Sequence, residues 1–444
     1  MIKKYIYGVT IAAVALVAGS SCSRETADVF DKTPAERLDL TKATYAAALI
    51  ADGGKWEMEF WANGDMPGYI ALMTFNANGS VNIEMYHNLY AEYVMGVIYQ
   101  DGQPTYRSEV STWGVLGDDG PVLSLQNYNK VFHIFSDPYD LTWTEANEQG
   151  KGFNSDYEFK FMELSEDVKT IRLRGKKSGR TMYLRRLDSS TSGPEYFDQL
   201  NGFSATLFNP LIPKLYLNAS SGEEYIIKNA STGIFSMYPN PGDEVTQTST
   251  RNILVTRTGI KFMNSFKGYE DQAKFEVKDF LYQDGKLVCS ANDITSTITA
   301  GPLGQLFGEK VIWDIDKTSL KGQLAEAIAA MDAEFKAYSA YRQESKRLTF
   351  TYDEDAKLYA FVVRIKNANL KFYFEETPNG DSVTLAYKSA DTVGTKALDI
   401  FPSLKKVTEA LSSQFTLSGP ERLNPVPLTM DGSTGGATMT IAEK

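Results

Sequence analysis

Cysteine and histidine are scarce in this chain of 444 residues, which contains two of each. The histidines, His87 and His133, do not form a His-x-x-x-His pair, and no Cys-x-x-Cys pair is present, so the common zinc-binding spacings are lacking. No glycine loop of the kind that holds phosphates precedes a predicted helix. A Ser-His-Asp triad would need one of the two histidines, and no Gly-x-Ser-x-Gly motif accompanies either. We therefore predict no metal, no cofactor and no serine-based hydrolysis.

Positive charge is also in short supply, since the formal net charge is −11. Nucleic-acid binding depends on lysine and arginine neutralising phosphates, so the charge argues against a nucleic-acid partner. The same balance argues against broad electrostatic adhesion to an anionic membrane surface. No apolar run beyond the first twenty-two residues approaches the length of roughly 20 residues that spans a bilayer as a helix.

The first residues have the pattern of an exported lipoprotein. Lys3 and Lys4 precede an apolar run over 5–18, which ends in Gly19-Ser20-Ser21-Cys22. This pattern predicts a signal peptide over 1–21, lipidation of Cys22, including palmitate, and a polar tether over 22–29. Gly19 departs from the Leu, Val or Ile that usually lies three residues before a lipidated cysteine, so an ordinary secretory signal is the alternative. The other cysteine, Cys289, lies in an apolar stretch, where we predict a small buried side chain without a disulfide.

Residues 30–187 have the pattern of a β-rich domain with one leading helix. Thr33-Pro34 predicts the start of a helix that runs to about Ala51. The period then changes to two, with Trp56, Met58 and Phe60 on one strand face and Glu57, Glu59 and Trp61 on the other. Further strands are predicted at 69–75, 81–85, 93–99, 105–112, 121–126, 130–136, 157–164, 169–175 and 181–187. Such a series of about ten strands joined by short turns predicts an antiparallel meander or barrel.

Residues 188–195 are rich in Ser, Thr, Gly and Pro and predict a linker to a second β-rich domain over 196–444. Within that domain the pattern predicts helices near 318–342 and 399–413, the first with an apolar stripe that suits packing on its own sheet. The strands are predicted at 214–217, 224–227, 252–255, 347–352, 358–366, 369–375, 382–388, 426–430 and 437–442. The fold class is thus mainly β, or β-rich α+β. Both halves place a helix before an Asn-Gly hairpin. Duplication of one ancestral unit and chance use of a common hairpin explain this shared order equally well.

Paired carboxylates are the remaining catalytic candidates, because glycoside hydrolysis uses two acids. Asp118 and Asp119 lie between Gly117 and Gly120-Pro121, and a second acidic cluster spans 353–355. Asp, Gly and Pro are also the residues that tight turns select, so turns are the favoured interpretation of both. His133 shares its predicted strand face with apolar neighbours and is interpreted as a core or rim histidine. We therefore assign no catalytic residue.

Aromatic side chains offer a more plausible binding surface. Trp61 lies on the strand face opposite Trp56, and Tyr139 and Trp143 lie in a polar segment over 139–153. Exposed rings can stack on sugars or contact peptide side chains, so these three residues are predicted to bind a ligand. The alternative is that Trp61 is covered by the second domain and Trp143 by its own loop.

The N-terminal domain also resembles a Bacteroidetes lipoprotein family, the domain of unknown function 4302. The likeness is specific over residues 22–187, and beyond them it covers only length and element order. It rests on Cys22 and on the segments Phe30-Asp-Lys-Thr-Pro-Ala-Glu-Arg37-Leu38, Trp56-Glu-Met-Glu-Phe60, Phe75-Asn-Ala-Asn-Gly79, Gly120-Pro121-Val-Leu-Ser-Leu125, Tyr128-Asn129, His133-Ile-Phe-Ser-Asp137-Pro138, Asp156-Tyr157-Glu158-Phe159 and Gly175-Lys176-Lys177.

The resemblance implies an accessory lipoprotein of starch-utilisation-type uptake systems, working beside a TonB-dependent importer and its lid lipoprotein. It supplies no catalytic residues. We expect a non-catalytic protein held on the outer membrane by the lipid on Cys22, on either the surface or the periplasmic face, that binds a peptide or glycan or docks on the importer. A carboxylate-dependent hydrolase and a structural protein of the cell envelope are the alternatives.

Overall fold

Three closed β-barrels follow one another along the chain in the computed structural model. Each barrel has eight antiparallel strands, each strand pairs with its sequence neighbours, and the first strand of each barrel pairs with the last. The structure describes residues 32–92, 97–137, 153–212, 214–231, 233–268, 275–290, 295–308 and 311–443. The predicted signal peptide, the tether and Cys22 lie outside these ranges.

Barrel 1 follows helix α1 (Pro34–Ile50), which begins where the Thr33-Pro34 pattern predicts. Thr33 and Glu36 form a reciprocal capping box, in which the Thr33 hydroxyl oxygen accepts from the Glu36 amide at 3.3 Å. The inward side chains of the strands fill the barrel with one apolar core. The strands of barrel 1 are β1 (Lys55–Phe60), β2 (Tyr69–Phe75), β3 (Ser80–Glu92), β4 (Val97–Asp118), β5 (Gly120–Leu125), β6 (Glu158–Leu164), β7 (Thr170–Gly175) and β8 (Thr181–Arg186).

The predicted strand over 130–136 is wrong, because this segment forms turns and a short 3-10 helix, His133–Phe135. The Asn129 side chain causes the turn, since its oxygen accepts from the amides of Val131 and Phe132 at 2.9 and 3.1 Å. The apolar side chains of the segment pack into the core of barrel 1 rather than along a sheet.

Barrel 2 begins after helix α2 (Gly193–Leu207) and contains a single-turn helix, α3 (Glu244–Gln247). Its core is separate from that of barrel 1 and includes the buried Cys289, as predicted. The strands of barrel 2 are β9 (Leu215–Asn218), β10 (Glu224–Ser231), β11 (Ile234–Asn240), β12 (Ser249–Thr256), β13 (Gly259–Phe266), β14 (Val277–Gln283), β15 (Lys286–Cys289) and β16 (Thr297–Ala300).

Barrel 3 carries three helices, α4 (Gly322–Ala337), α5 (Thr392–Ile400) and α6 (Ser403–Leu411). The stripe predicted for the long helix is confirmed in part, since Leu324, Ile328, Met331 and Phe335 join the barrel core. The strands of barrel 3 are β17 (Trp313–Lys321), β18 (Arg347–Asp353), β19 (Leu358–Ile365), β20 (Ala368–Asn379), β21 (Ser382–Ala390), β22 (Gln414–Ser418), β23 (Leu428–Gly432) and β24 (Thr438–Glu443).

Both helices predicted in this region have different bounds in the structure. The helix predicted at 318–342 begins only at Gly322, because residues 318–321 belong to β17 and Lys321 still pairs with β24. The helix predicted at 399–413 is two helices. Pro402 disfavours a helical conformation at the residue before it, and Phe401 is extended between α5 and α6.

The predicted fold class, β-rich with antiparallel barrel-like sheets and a few helices, is confirmed. The segment predicted as a linker, 188–195, ends inside α2, whose N-cap Ser192 accepts from the Glu195 amide at 3.5 Å. Residues 196–444, predicted as one β-rich domain, form two closed barrels. No helix within the described ranges is both long enough and apolar enough to cross a membrane.

Candidate functional site

The outer faces of barrel 1 and barrel 2 meet at strands β1, β8, β13 and β14, and a cleft lies at this junction. In barrel 1, β1 pairs with β8, which brings the outward Glu57 opposite Arg185 and Glu59 opposite Tyr183. In barrel 2, the pairing of β13 with β14 sets Lys261 opposite Asp279. The alternation that turns Trp56, Met58 and Phe60 into the barrel 1 core therefore turns the acids of the same strand toward barrel 2.

Glu59 links the two barrels by ion pairs. Its carboxylate accepts from Arg185 Nε at 2.9 Å and from Lys261 Nζ at 2.5 Å. Only 5% of the Glu59 side chain is exposed, so two cations compensate a charge that has lost most of its water. Burial disfavours the charged form of Arg185, but the attraction and hydrogen bond of Glu59 outweigh it and raise the pKa of Arg185. Lys261 also lies 4.0 Å from Asp279 Oδ2.

A cleft lies on each side of this ion-pair cluster. The larger has a volume of 640 Å³ and the smaller 310 Å³, and Arg185, Lys261 and Asp279 line both. Both volumes are in the range of natural ligand pockets, about 300–1,000 Å³. Four cations and two carboxylates line the larger cleft: Arg180, Arg185, Lys261, Lys278, Glu59 and Asp279.

The hairpin between β7 and β8 forms one wall of the larger cleft. Asp156, which is 2% exposed, holds this hairpin because one of its carboxylate oxygens accepts from the amides of Lys177 and Ser178 at 2.6 and 3.0 Å. Gly179 turns the chain with a φ of 71°, a conformation that favours glycine. Arg180 is therefore presented to the cleft by a hairpin that a buried side chain fixes.

Arg180 and Lys278 are the two lining cations that have no carboxylate within ion-pair distance among the described residues. One terminal nitrogen of Arg180 donates to the Ala62 carbonyl at 3.1 Å, which orients the guanidinium. Burial lowers the pKa of Arg180, and the more distant charges of Asp156 and Asp65 oppose that shift. The direction of the shift indicates a guanidinium whose lost hydration the protein only partly replaces.

The smaller cleft contains a second set of polar contacts. Tyr196 on α2 donates to Glu57 at 2.6 Å, and the guanidinium of Arg257 lies 4.2 Å from the centre of the Tyr196 ring. Arg257 also donates to the Gln199 side chain at 3.3 Å. Burial raises the pKa of Tyr196, so its hydroxyl remains a donor. These side chains are engaged with one another, which makes the larger cleft the better ligand site.

Trp61 is the one described residue among the three aromatic binding candidates. It lies just past β1, lines the larger cleft and is 6% exposed. A Cβ placed on Gly68 would lie 2.9 Å from the Trp61 ring and 2.7 Å from Leu254 Cβ of β12. The indole is therefore mostly buried, in the apolar cluster of barrel 1 that Leu254 of barrel 2 also joins. The other two candidates, Tyr139 and Trp143, lie outside the described residues.

The carboxylates considered for hydrolysis lie in turns and do not line the cleft. Asp118 and Asp119 form the tight turn between β4 and β5, where Asp118 pairs with Lys176 at 2.9 Å and Asp119 with Lys160 at 3.4 Å. The hydrogen bond and charge of Lys176 lower the pKa of Asp118, whereas a general acid needs a raised pKa. Asp353 begins the turn between β18 and β19 and pairs with Lys371.

Both histidines are structural. His133 Nδ1 accepts from the Asn129 amide at 2.9 Å and Nε2 donates to the Leu125 carbonyl at 3.1 Å, so the ring is neutral. His87 repeats this pattern, accepting from the Leu89 amide and donating to the Val131 carbonyl. Burial lowers the pKa of both rings, and that of His87 to about 4. The prediction of a core or rim histidine at His133 is confirmed.

No cluster of three or more His, Cys, Asp or Glu side chains able to hold a metal occurs within the part of the chain that the structure describes.

The sequence did not single out the cleft cations Arg180, Arg185, Lys261 and Lys278. Two signals pointed toward them: the outward acids Glu57 and Glu59 beside Trp61, and the predicted strand at 181–187. The sequence patterns do not predict β13 and β14. They therefore do not indicate that Lys261 and Lys278 lie on the same surface.

A family model described as "Domain of unknown function (DUF4302)" matches residues 26–280, more than half of the chain. No curated protein matches the chain. Among solved structures, the β subunit of DNA polymerase from Streptococcus pyogenes matches at 10% identity and a TM-score of 0.13, with 91% of this chain and 98% of that chain covered. The DNA polymerase III β subunit of Thermotoga maritima matches at 7% identity and a TM-score of 0.12, with 91% and 95% covered. Scores this low carry no argument about fold or function.

Proposed function

The chain belongs to the DUF4302 family, and we propose that it is a non-catalytic outer-membrane lipoprotein that binds a ligand between barrels 1 and 2 as an accessory component of a nutrient-uptake system. The proposal places the lipid on Cys22 and leaves the face of the outer membrane open. Its partners are a TonB-dependent importer and the lid lipoprotein of that importer. These assignments follow the signal-peptide pattern and the resemblance to the Bacteroidetes family.

The observation that carries the proposal is the cleft of 640 Å³ beside the Glu59 ion pairs. It is open to solvent, lined mainly by polar side chains, and walled by a hairpin that Asp156 fixes. Preformed walls reduce the ordering cost of binding a ligand. The carboxylates Asp118 and Asp119, which a hydrolase would use, lie in an exposed turn and are paired with lysines.

A pull-down from detergent-solubilised outer membrane tests the proposal, with the full acylated chain as bait. We expect recovery of a barrel importer together with its lid lipoprotein. The Cys22→Ser chain is the control, since it should lose the lipid and move from the membrane fraction to the soluble fraction. Recovery of neither partner, or a membrane fraction that Cys22→Ser leaves unchanged, contradicts the proposal.

A further inference from the structure

We infer that the larger cleft binds an acidic oligosaccharide, whose carboxylates contact Arg180 and Lys278. This inference rests on the proposed function, since it names the ligand class of the same cleft. It depends on the charges of the cleft, on the pairing of the barrel 1 strands that line it and on the chemistry of the lining side chains.

The charges favour an anion at one place in the cleft. The two lining acids, Glu59 and Asp279, both lie against Lys261, and Glu59 also engages Arg185. Arg180 and Lys278 have no carboxylate of their own within 4.0 Å in the described part of the chain. A ligand carboxylate would supply the missing partner, and hydrogen bonds between such charged groups are stronger than those between neutral groups.

Arg180 is oriented to receive a carboxylate. A guanidinium has five N–H donors, and the Ala62 carbonyl accepts from one terminal nitrogen at 3.1 Å. The remaining donors can bind a carboxylate side-on, the geometry in which arginine recognises this group. Because the hairpin is held by Asp156, little ordering of Arg180 is needed on binding.

The lining favours a sugar over a peptide. Extended peptides commonly add to a free strand edge or place side chains in apolar pockets. At the barrel 1 wall of the cleft, β1 and β8 each pair with a neighbouring strand on both sides, so they offer no such edge. The large apolar side chains at the cleft are mostly turned into cores, since Phe262 is 0% exposed and Trp61 6%. Hydroxyl and amide groups of Ser178, Thr181 and Asn264 remain, and these suit the hydroxyls of a sugar.

Isothermal titration calorimetry on the full mature chain tests the inference, with oligogalacturonate trimers and hyaluronan hexasaccharides as probes. We expect at least one of them to bind, and affinity to fall about 10-fold to 100-fold in Arg180→Gln and about 10-fold in Lys278→Gln, as for lost bonds to charged groups. Lys267→Gln is the matched control, because Lys267 lies nearby, pairs with Glu276 at 3.1 Å and does not line the cleft. Its affinity should equal that of the unmodified chain.

Three results overturn the inference: neither probe binds, the methyl-esterified trimer binds as tightly as the free acid, or an aspartate-rich peptide binds in its place with the same dependence on Arg180. Unchanged thermal unfolding of Lys278→Gln separates a lost contact from a lost fold. The pull-down remains an independent test. Recovery of the importer with no binding of the acidic sugars would reject the ligand class and keep the accessory role.

Discussion

The junction between barrels 1 and 2 and the junction between barrels 2 and 3 are built differently. At the first, Glu59 pairs with Arg185 and Lys261, clefts lie on either side, and Leu254 of barrel 2 joins the apolar cluster of barrel 1. At the second, the β22–β23 loop of barrel 3 places Leu423, which is 0% exposed, in the core of barrel 2. A bidentate pair between Arg422 and Asp381 fixes this loop, and Tyr282 of barrel 2 donates to the Glu421 carboxylate.

The difference shows how a chain of similar barrels can separate scaffold from site. An apolar side chain that completes a neighbouring core is fixed by the transfer free energy of its buried surface. The first junction also buries the apolar side chain of Leu254, but its charged outer faces must compensate each buried charge and leave space between the side chains. The apolar insertion between barrels 2 and 3 suits a fixed support, and the charged faces between barrels 1 and 2 suit a ligand site.

Leu423→Ala should be the most damaging substitution, because it opens a cavity in the core of barrel 2 and releases barrel 3. Substitutions of this kind cost about 2–5 kcal/mol in the free energy of unfolding. Urea-induced unfolding measures the loss. Leu40→Ala, in the exposed part of α1, is the matched control and should change stability by less than about 1 kcal/mol. Equal effects of the two substitutions would refute the proposed insertion of Leu423.

Mild acid should weaken barrel 1 before it weakens the second junction. Burial lowers the pKa of His87 from 6.5 to about 4, so the unfolded chain takes up the proton first. The contribution of neutral His87 to the free energy of unfolding is fully present above pH 6.5. It is lost as the pH falls toward 4, by about 3 kcal/mol in total. Arg422 lowers the pKa of Asp381 below its ordinary 3.8, so that contribution is lost only in stronger acid.

Unfolding of the unmodified chain and of His87→Gln, compared at pH 7.5 and pH 4.5, isolates this effect. The unmodified chain should lose more stability than the variant over this interval, since glutamine does not titrate. Parallel losses in both chains would assign the acid sensitivity to other groups.

Gly68→Ala should disturb the first junction through close contact rather than charge. The new Cβ would lie 2.7 Å from Leu254 Cβ and 2.9 Å from the Trp61 ring, so barrels 1 and 2 must move apart locally. Overpacking of this kind costs about 1–3 kcal/mol. Gly202→Ala on the exposed face of α2 has no atom within 4 Å and should be neutral or stabilising, by up to about 1 kcal/mol. Thermal unfolding of both variants checks the prediction, and a stable Gly68→Ala chain would contradict it.

Glu59→Gln should destabilise the chain less than Leu423→Ala or Gly68→Ala. It should still destabilise the chain more than Arg422→Gln, which breaks the ion pair at the second junction. The substitution leaves Arg185 and Lys261 without their shared anion, which costs about 1–2 kcal/mol. Arg422→Gln breaks a pair that is about 40% exposed and should cost less than about 1 kcal/mol. Urea unfolding at low and high salt compares the two variants. A larger loss of stability in Arg422→Gln than in Glu59→Gln would contradict this prediction.

The sequence patterns predicted barrels 1 and 3 better than barrel 2. Alternation around Trp56, Met58 and Phe60, and the turn at Asn78-Gly79, set strand positions locally, so β1, β2 and β3 could be located. In barrel 2, β9, β15 and β16 have four residues each, too few for a clear period of two. The alternating apolar residues of 130–136 predict a strand, whereas the Asn129 side chain folds the segment into turns.

The candidate site was harder to predict than the fold, for a physical reason. The period of two predicts the outward positions of Glu57 and Glu59 on β1, whereas Trp61, just past the strand, joins the apolar cluster of barrel 1. What lies opposite that face depends on how two closed barrels dock, and docking joins residues some 200 positions apart, such as Glu59 and Lys261. No local pattern records that contact, so Arg180, Lys261 and Lys278 became candidates only from the structure.

Hydrogen–deuterium exchange of the full mature chain, with and without saturating oligogalacturonate trimer, tests the central claim most directly. We expect slower exchange in the hairpin at 176–181 and in β13 and β14, with β18 to β20 of barrel 3 unchanged. Protection confined to barrel 3, or no protection anywhere, would contradict the assignment of the ligand site to the cleft between barrels 1 and 2.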